Sequence, residues 1–136
     1  MSWDAYVDTL VGYCLGHADK GAIIGQDGSG WTGQTADNCM KVSQAEAATI
    51  SGAMNQNGCD FGGFQAAGIF VEGIKYQFLR SVDNEVAIGK KKDHGTVILQ
   101  ITKSAILITH CAEGKTVGIC TVGSAKLSEY MVDQGF

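Results

Sequence analysis

The sequence predicts an α+β fold in which helices cover a central antiparallel β-sheet, and three observations carry that prediction. Apolar residues recur at three- and four-residue steps at both ends of the chain. Between Phe64 and Cys111 the pattern changes to short β-prone runs. The connections between those runs, such as Glu72-Gly73 and Asp83-Asn84, are short enough for hairpins. At 136 residues and 45% hydrophobic content, the chain is long enough for one domain with a core, and residues 1–136 are read as a single unit.

The first helix is expected from Ser2, which can cap it, and Asp4, whose charge suits the positive first turn. Trp3, Tyr6, Val7, Leu10, Val11 and Cys14 follow at helical spacing, so Trp3 and Tyr6 share a face. Either these rings bury into the core, or they form the edge of an aromatic binding surface whose other half comes from elsewhere. Gly16 to Gly21 reads as a turn-rich connection, and Ala22-Ile23-Ile24 as a short buried strand. Gln26-Asp27-Gly28-Ser29-Gly30 is a tight turn that delivers Trp31; its glycines match no dinucleotide or phosphate-loop pattern. Ser43 with Glu46 makes a capping box for a second helix through Ala47, Ile50, Ala53 and Met54, ending near Asn57-Gly58. Strands are expected at 68–71, 75–80, 86–89, 96–102 and 105–111. After Glu113-Gly114-Lys115 a last helix places Ile119, Val122, Leu127, Tyr130 and Met131 on one face, with Gly123 weakening its start.

Composition narrows the function. No apolar run approaches the roughly 18 residues that span a bilayer, and Asp4 and Asp8 stand where a signal peptide would be basic, so a cytoplasmic protein is expected. Cys14, Cys39, Cys59, Cys111 and Cys120 form no C-x-x-C pair and leave one over, which fits reduced, mostly buried thiols rather than a disulfide framework or a zinc site. The net charge of −4 disfavours nucleic acid, yet it divides unevenly: residues 1–74 carry −6 and residues 75–136 carry +2. A cationic working face in the second half would suit an acidic protein or an anionic lipid head group. His17, His94 and His110 are scattered, the acids are spread out and no nucleophile motif is present, so neither catalysis, nor a metal, nor a cofactor is expected.

Ser2-Trp3-Asp4-Ala5-Tyr6-Val7-Asp8, Trp31, Lys75-Tyr76-Gln77-Phe78-Leu79-Arg80, Gly89-Lys90-Lys91-Lys92 and the ending from Lys126 to Phe136 together resemble profilin, in order and over the full length. The likeness is to an invertebrate-type member of that family. It implies N- and C-terminal helices side by side on one face of the sheet, with smaller helices on the other. It also implies a monomer with two separate partners, monomeric actin and the proline-rich segments of actin-assembly factors. Such a protein regulates filament assembly and is associated with the cytoskeleton.

With the terminal helices as neighbours, Trp3, Tyr6, Trp31, Tyr130 and Phe136 become the expected proline-rich site. Flat rings suit a polyproline II helix, whose unpaired carbonyls accept from indole and phenol donors and whose shape is set before binding. The family often has histidine where Tyr130 falls; tyrosine keeps a stacking face and a donor. By position, the resemblance carries the actin surface onto Lys75, Arg80, Lys90, Lys92, Thr96, Gly118 and Lys126. Lys75 and Arg80 are five apart and would point to opposite faces of a regular strand, so a strand end or a bulge is required. Phosphoinositide lipids are a third expected partner, met weakly by Arg80, Lys90, Lys91, Lys92 and Lys126 at about 1 kcal/mol per basic residue. Two alternatives from other classes remain: a small-molecule sensor or scaffold domain with the rings as core, and a small hydrolase using His110 or Cys111.

Overall fold

The computed structural model describes residues 3–33, 37–55 and 58–136. In chain order the elements are α1 (Asp4–Tyr13), β1 (Ala18–Gly25), α2 (Gln44–Ala53), β2 (Met54–Asn55), β3 (Gly58–Cys59), α3 (Gly62–Ala67), β4 (Ile69–Val71), β5 (Ile74–Val82), β6 (Val86–Lys91), β7 (Gly95–Ile101), β8 (Ala105–Ala112) and α4 (Val117–Asp133). Six strands form one antiparallel sheet in the order β1-β8-β7-β6-β5-β4. β4 to β8 follow as a meander, and β1 joins at its far edge against β8. The sheet curls enough for Lys20 on β1 to reach Glu72 in the β4–β5 turn, Nζ to Oε1 at 2.9 Å.

Both faces of the central strands are covered, which explains why β7 and β8 read as nearly unbroken apolar runs. Alternate residues Ala22, Ile24, Val97, Leu99, Ile106 and Ile108 turn to one side, where α2 contributes Ile50 and α3 contributes Phe64. Ile23, Ala105 and Leu107 turn to the other, beneath Tyr6 and Leu10 of α1 and Leu127 and Met131 of α4. Cys14, Ile88, Ile98, Cys111 and Cys120 extend that second layer. A helix is about 10 Å across and strands are about 4.8 Å apart, so two helices cover roughly four strands. α1 lies over β1 and α4 over β7 and β8, leaving the outer face of β5 and β4 uncovered.

Several elements differ from the sequence expectation. The expected Ser2 cap lies outside the described residues; Trp3 occupies the cap position in a helical conformation. β1 starts at Ala18 rather than Ala22, because Lys20 and Gly21 pair with His110 and Thr109 across a bulge at Asp19. The Ser43–Glu46 capping box is present, but α2 ends at Ala53, and Met54 turns into the two-residue β2–β3 pairing. α3 was not expected where it stands; its glycine-rich start has little helix propensity, and the burial of Phe64 holds it. In α4 the buried face is Cys120, Gly123, Ser124, Leu127, Ser128 and Met131, while Val122 is exposed. Gly123 is the contact point rather than a weakness: a Cβ there would stand 2.7 Å from the Cys14 sulfur and 2.9 Å from the Tyr13 carbonyl carbon.

Candidate functional site

All five rings expected to form one surface meet. Trp3 packs on Trp31 with centroids 4.6 Å apart, on Phe136 at 4.8 Å and on Tyr6 at 4.9 Å. Tyr6 continues to Tyr130 at 6.2 Å, nearly perpendicular. Tyr6 is 9% exposed and Tyr130 44%, with Trp3, Trp31 and Phe136 between these limits. Tyr6 is thus both core and edge of the surface, so the two sequence readings hold together at that residue. A sensor domain using both tryptophans only as core requires them buried, and neither is.

Polar contacts unremarked in the sequence hold this cluster. The Phe136 main-chain oxygen accepts from the Thr102 hydroxyl at 2.7 Å, the Ser104 hydroxyl at 2.8 Å and the Ser104 N–H at 2.6 Å. Gly135, at φ 95°, turns the chain after α4 so that the Phe136 N–H donates back to Met131. Trp31 donates its main-chain N–H to Ile23 and its indole N–H to the Ser29 hydroxyl at 3.2 Å. Ser29 in turn donates its hydroxyl and N–H to Asp27, which holds that carboxyl below its usual range. The Trp31 indole proton is therefore engaged within the turn. Asp4 accepts from the Gly33 N–H at 2.6 Å and ties α1 to the far side of the same loop. The Asp-Gly-Ser-Gly pattern was the one sequence signal for this scaffold.

The cationic residues divide. Gln77 pairs with Lys90 and Arg80 with Ile88, so Lys75, Gln77, Arg80 and Lys90 all turn to the uncovered face beside α4. Lys75, Lys90, Lys91 and Lys92 line a cleft of about 520 Å³ closed by residues 64–68 and by Gln77 and Phe78. Arg80 does not line it. Thr96 is buried at 4% exposure between Lys90 and Cys111 in the sheet. Gly118 is exposed in the first turn of α4. Lys126 lies apart, with its ammonium 6.0 Å from the Tyr13 ring centre on the α1 side.

His110 and Cys111 are neighbours on β8 and face opposite layers, so they do not meet as an acid–base and nucleophile pair. His110 is held by Asp19, Nδ1 to Oδ1 at 2.5 Å, and by the His94 carbonyl at 3.0 Å from Nε2. Cys111 turns instead towards Cys14 and Cys120. Tyr76 packs against both histidine rings, and burial pushes its hydroxyl up to about 12. No group of three or more potential metal-ligating side chains occurs among the described residues. Nor is any described helix long and apolar enough to cross a membrane.

The Profilin family model matches residues 1–136. A profilin of the sea urchin Strongylocentrotus purpuratus is 42% identical over 139 aligned residues, covering 96% of each chain. The solved structure of Acanthamoeba castellanii profilin IB is similar at 33% identity and a TM-score of 0.81, covering 99% of this chain and 100% of that one. At fold level alone, likeness extends to mouse profilin IIa in complex with a double repeat from the FH1 domain of mDia1, at 22% identity, 100% coverage of each chain and a TM-score of 0.74. It extends equally to the LokiProfilin2 and rabbit actin complex, at 20% identity and a TM-score of 0.74, covering 96% of this chain and 95% of that one.

Proposed function

The chain belongs to the profilin family, and on that premise we propose that it is a non-enzymatic cytoplasmic regulator of actin assembly that binds actin monomers and docks proline-rich segments. One observation carries the reading: Trp3, Tyr6, Trp31, Tyr130 and Phe136, drawn from both ends of the chain and one loop, form a single partly open aromatic surface. A polyproline II ligand is already shaped for such a surface and loses little entropy on binding. The Tyr130 ring offers a stacking face and a hydroxyl donor for a ligand carbonyl. The indole of Trp31 acts by its face, since its proton is held by Ser29.

Actin is assigned to the uncovered sheet face, through Lys75, Arg80 and Lys90 with Gly118 at the start of α4. Support comes from the concentration of basic residues there and from the relative whose solved complex contains rabbit actin. Gly118 and Tyr130 are about 18 Å apart along α4 at 1.5 Å per residue, far enough for both ligands to be held together. Simultaneous occupancy is what allows a monomer to be handed to a filament end. Phosphoinositide binding has narrower support, the cleft of Lys75, Lys90, Lys91 and Lys92. Lys126 and Arg80 stand outside that cleft.

Titration of tryptophan fluorescence with a polyproline peptide tests the docking assignment. A saturable change, lost in Trp3→Ala, is expected; an unchanged signal, or wild-type affinity in the variant, overturns it. Pyrene-actin assembly tests the actin assignment, and failure to slow spontaneous nucleation counts against it. Co-sedimentation with phosphoinositide vesicles tests the third assignment, with Lys90→Glu expected to weaken it.

A further inference from the structure

Leu15 is the most exposed large apolar side chain among the described residues, at 76%, and its backbone is left-handed at φ 53°. The other described non-glycine residues with such a φ are Glu72, Asp83, Asn84 and Asp93, all polar and all in hairpin turns. Leu15 instead follows Cys14 at the end of α1, where its N–H donates to the Gly12 carbonyl at 3.2 Å. Glycine is the usual residue at that position, because a Cβ in the left-handed region crowds the following carbonyl oxygen. Strained backbone and exposed apolar surface both lower the stability of the free protein. No packing offsets them, since Leu15 belongs to none of the core clusters.

The residues on either side fasten Leu15 beside the start of α4. On one side the Cys14 sulfur lies 3.7 Å from the Cys120 carbonyl oxygen, and on the other the Thr116 N–H donates to His17 Nδ1 at 2.9 Å. Leu15 and Gly16 therefore run along the first turn of α4, the turn that exposes Gly118. Val122, 57% exposed, stands one turn beyond Gly118 on the same outward side. Lys115 and Lys126 are exposed to either side of this apolar patch, and Glu113 is the acid in the loop that leads into it.

We propose that Leu15 is an anchor for the actin monomer, carrying that interface from the uncovered sheet face across the start of α4 to the end of α1. This rests on the assignment of actin to that face with Gly118 at its edge. Continuity selects the occupant, because a partner seated on Gly118 meets Val122 and Leu15 next. Charge agrees with it, since Lys115 and Lys126 give the rim the sign already set by Lys75, Arg80 and Lys90. A proline-rich segment on the aromatic surface does not reach this patch, because Trp3 is about 18 Å away along α1 at 1.5 Å per residue. The left-handed backbone holds the leucine outward before the partner arrives, so little ordering accompanies its burial.

The test measures urea unfolding and actin-monomer affinity on the full chain for Leu15→Gly and Leu15→Asn. Both replacements suit a left-handed backbone, so the urea midpoint rises. Pyrene-actin assembly at several protein concentrations shows affinity weakened about five-fold in both, while polyproline titration of tryptophan fluorescence is unchanged. The opposite signs are the signature, since a leucine that only supported the fold would lower the urea midpoint when replaced. Arg80→Glu is measured in parallel. If it weakens actin binding and the Leu15 variants do not, this proposal falls and the actin face stands; if none of the three has an effect, both fall. A lowered urea midpoint, or a dimer of this chain that is lost in Leu15→Gly with actin affinity unchanged, would also overturn the proposal, the latter by giving the patch to a second copy.

Discussion

Lys75 and Arg80 project from the same face of β5 although five residues separate them, because Leu79 is an extra residue in the ladder: Phe78 pairs with Gly89 and Arg80 with Ile88. The bulge re-aims Arg80 towards the face that carries Lys75 and Lys90. Arg80→Glu is expected to weaken actin-monomer binding about five-fold, roughly 1 kcal/mol. Deleting Leu79 removes the bulge but keeps the arginine opposite Ile88, on the face of Lys75 and Lys90, so binding should change little. Pyrene-actin assembly at several protein concentrations reads both variants, and a deletion variant as weak as Arg80→Glu would show that the bulge does more than aim the arginine.

Thr102 and Ser104 hold the main-chain oxygen of Phe136 and touch no ring of the aromatic surface. Ser104→Ala removes one part-buried hydrogen bond to Phe136, costing about 0.5 kcal/mol, and leaves the Thr102 hydroxyl in place. Polyproline affinity should fall several-fold while the urea midpoint moves little, because the loss loosens Phe136 against Trp3 rather than the sheet. Fluorescence titration beside urea unfolding separates the two effects.

Gly123→Ala places a methyl against backbone atoms of Tyr13 and the Cys14 sulfur. Helix propensity alone would favour alanine by about 1 kcal/mol. Overpacking at this crossing outweighs that gain and gives a net destabilisation of roughly 1 to 2 kcal/mol. Urea denaturation gives the sign, and a stabilised variant would show that the two helices separate freely.

Glu46 has two tasks. Its carboxylate accepts from the Ser43 N–H at 2.9 Å to complete the capping box, and from the N–H groups of Glu72 at 3.0 Å and Gly73 at 2.7 Å. Ser43→Ala removes a cap worth about 1 kcal/mol. Glu46→Ala should cost about twice as much, since it also leaves the β4–β5 turn without its anchor. Comparing the two urea midpoints decides whether the second role exists.

Glu72 links stability to pH. Burial pushes its carboxyl up, but the Lys41 N–H and the Lys20 ammonium pull it down further, and the net shift is below the ordinary value of 4.5. A carboxyl lowered on folding adds stability at pH values above 4.5 and loses it as pH falls through the folded value. Glu72→Gln should therefore be less stable than the parent at pH 7, with the gap narrowing towards pH 3. Thermal unfolding across that range measures it, and a constant gap would assign the loss to packing alone.

Much of the fold was legible because it rests on local chemistry. Ser43 and Glu46 announce α2 through a reciprocal cap, and Glu72-Gly73 announces a hairpin through two positive φ angles of 56° and 75°. The ring surface was legible in membership, since Trp3 and Tyr6 share a helical face by spacing. Its polar scaffold was not, because Thr102 and Ser104 lie far from Phe136 in sequence and their hydroxyls are ordinary turn residues until the chain closes on them. α3 escaped notice because six residues beginning Gly62-Gly63 carry no periodic signal of their own.

By itself the sequence determined the three longer helices and the strands of the meander, that the basic residues gather after residue 74, and that aromatic rings stand at both ends of the chain. Tertiary structure decided which side of each element is buried. α4 shows the reason: its apolar Val122 faces solvent, while Gly123 and Ser124 are buried because α1 approaches closely and Thr109 meets the Ser124 hydroxyl at 2.8 Å. It also decided the bulge at Leu79, which no local residue preference demands and which only the register against β6 defines. Periodicity is a property of one segment, but the direction a face points depends on the neighbour that covers it.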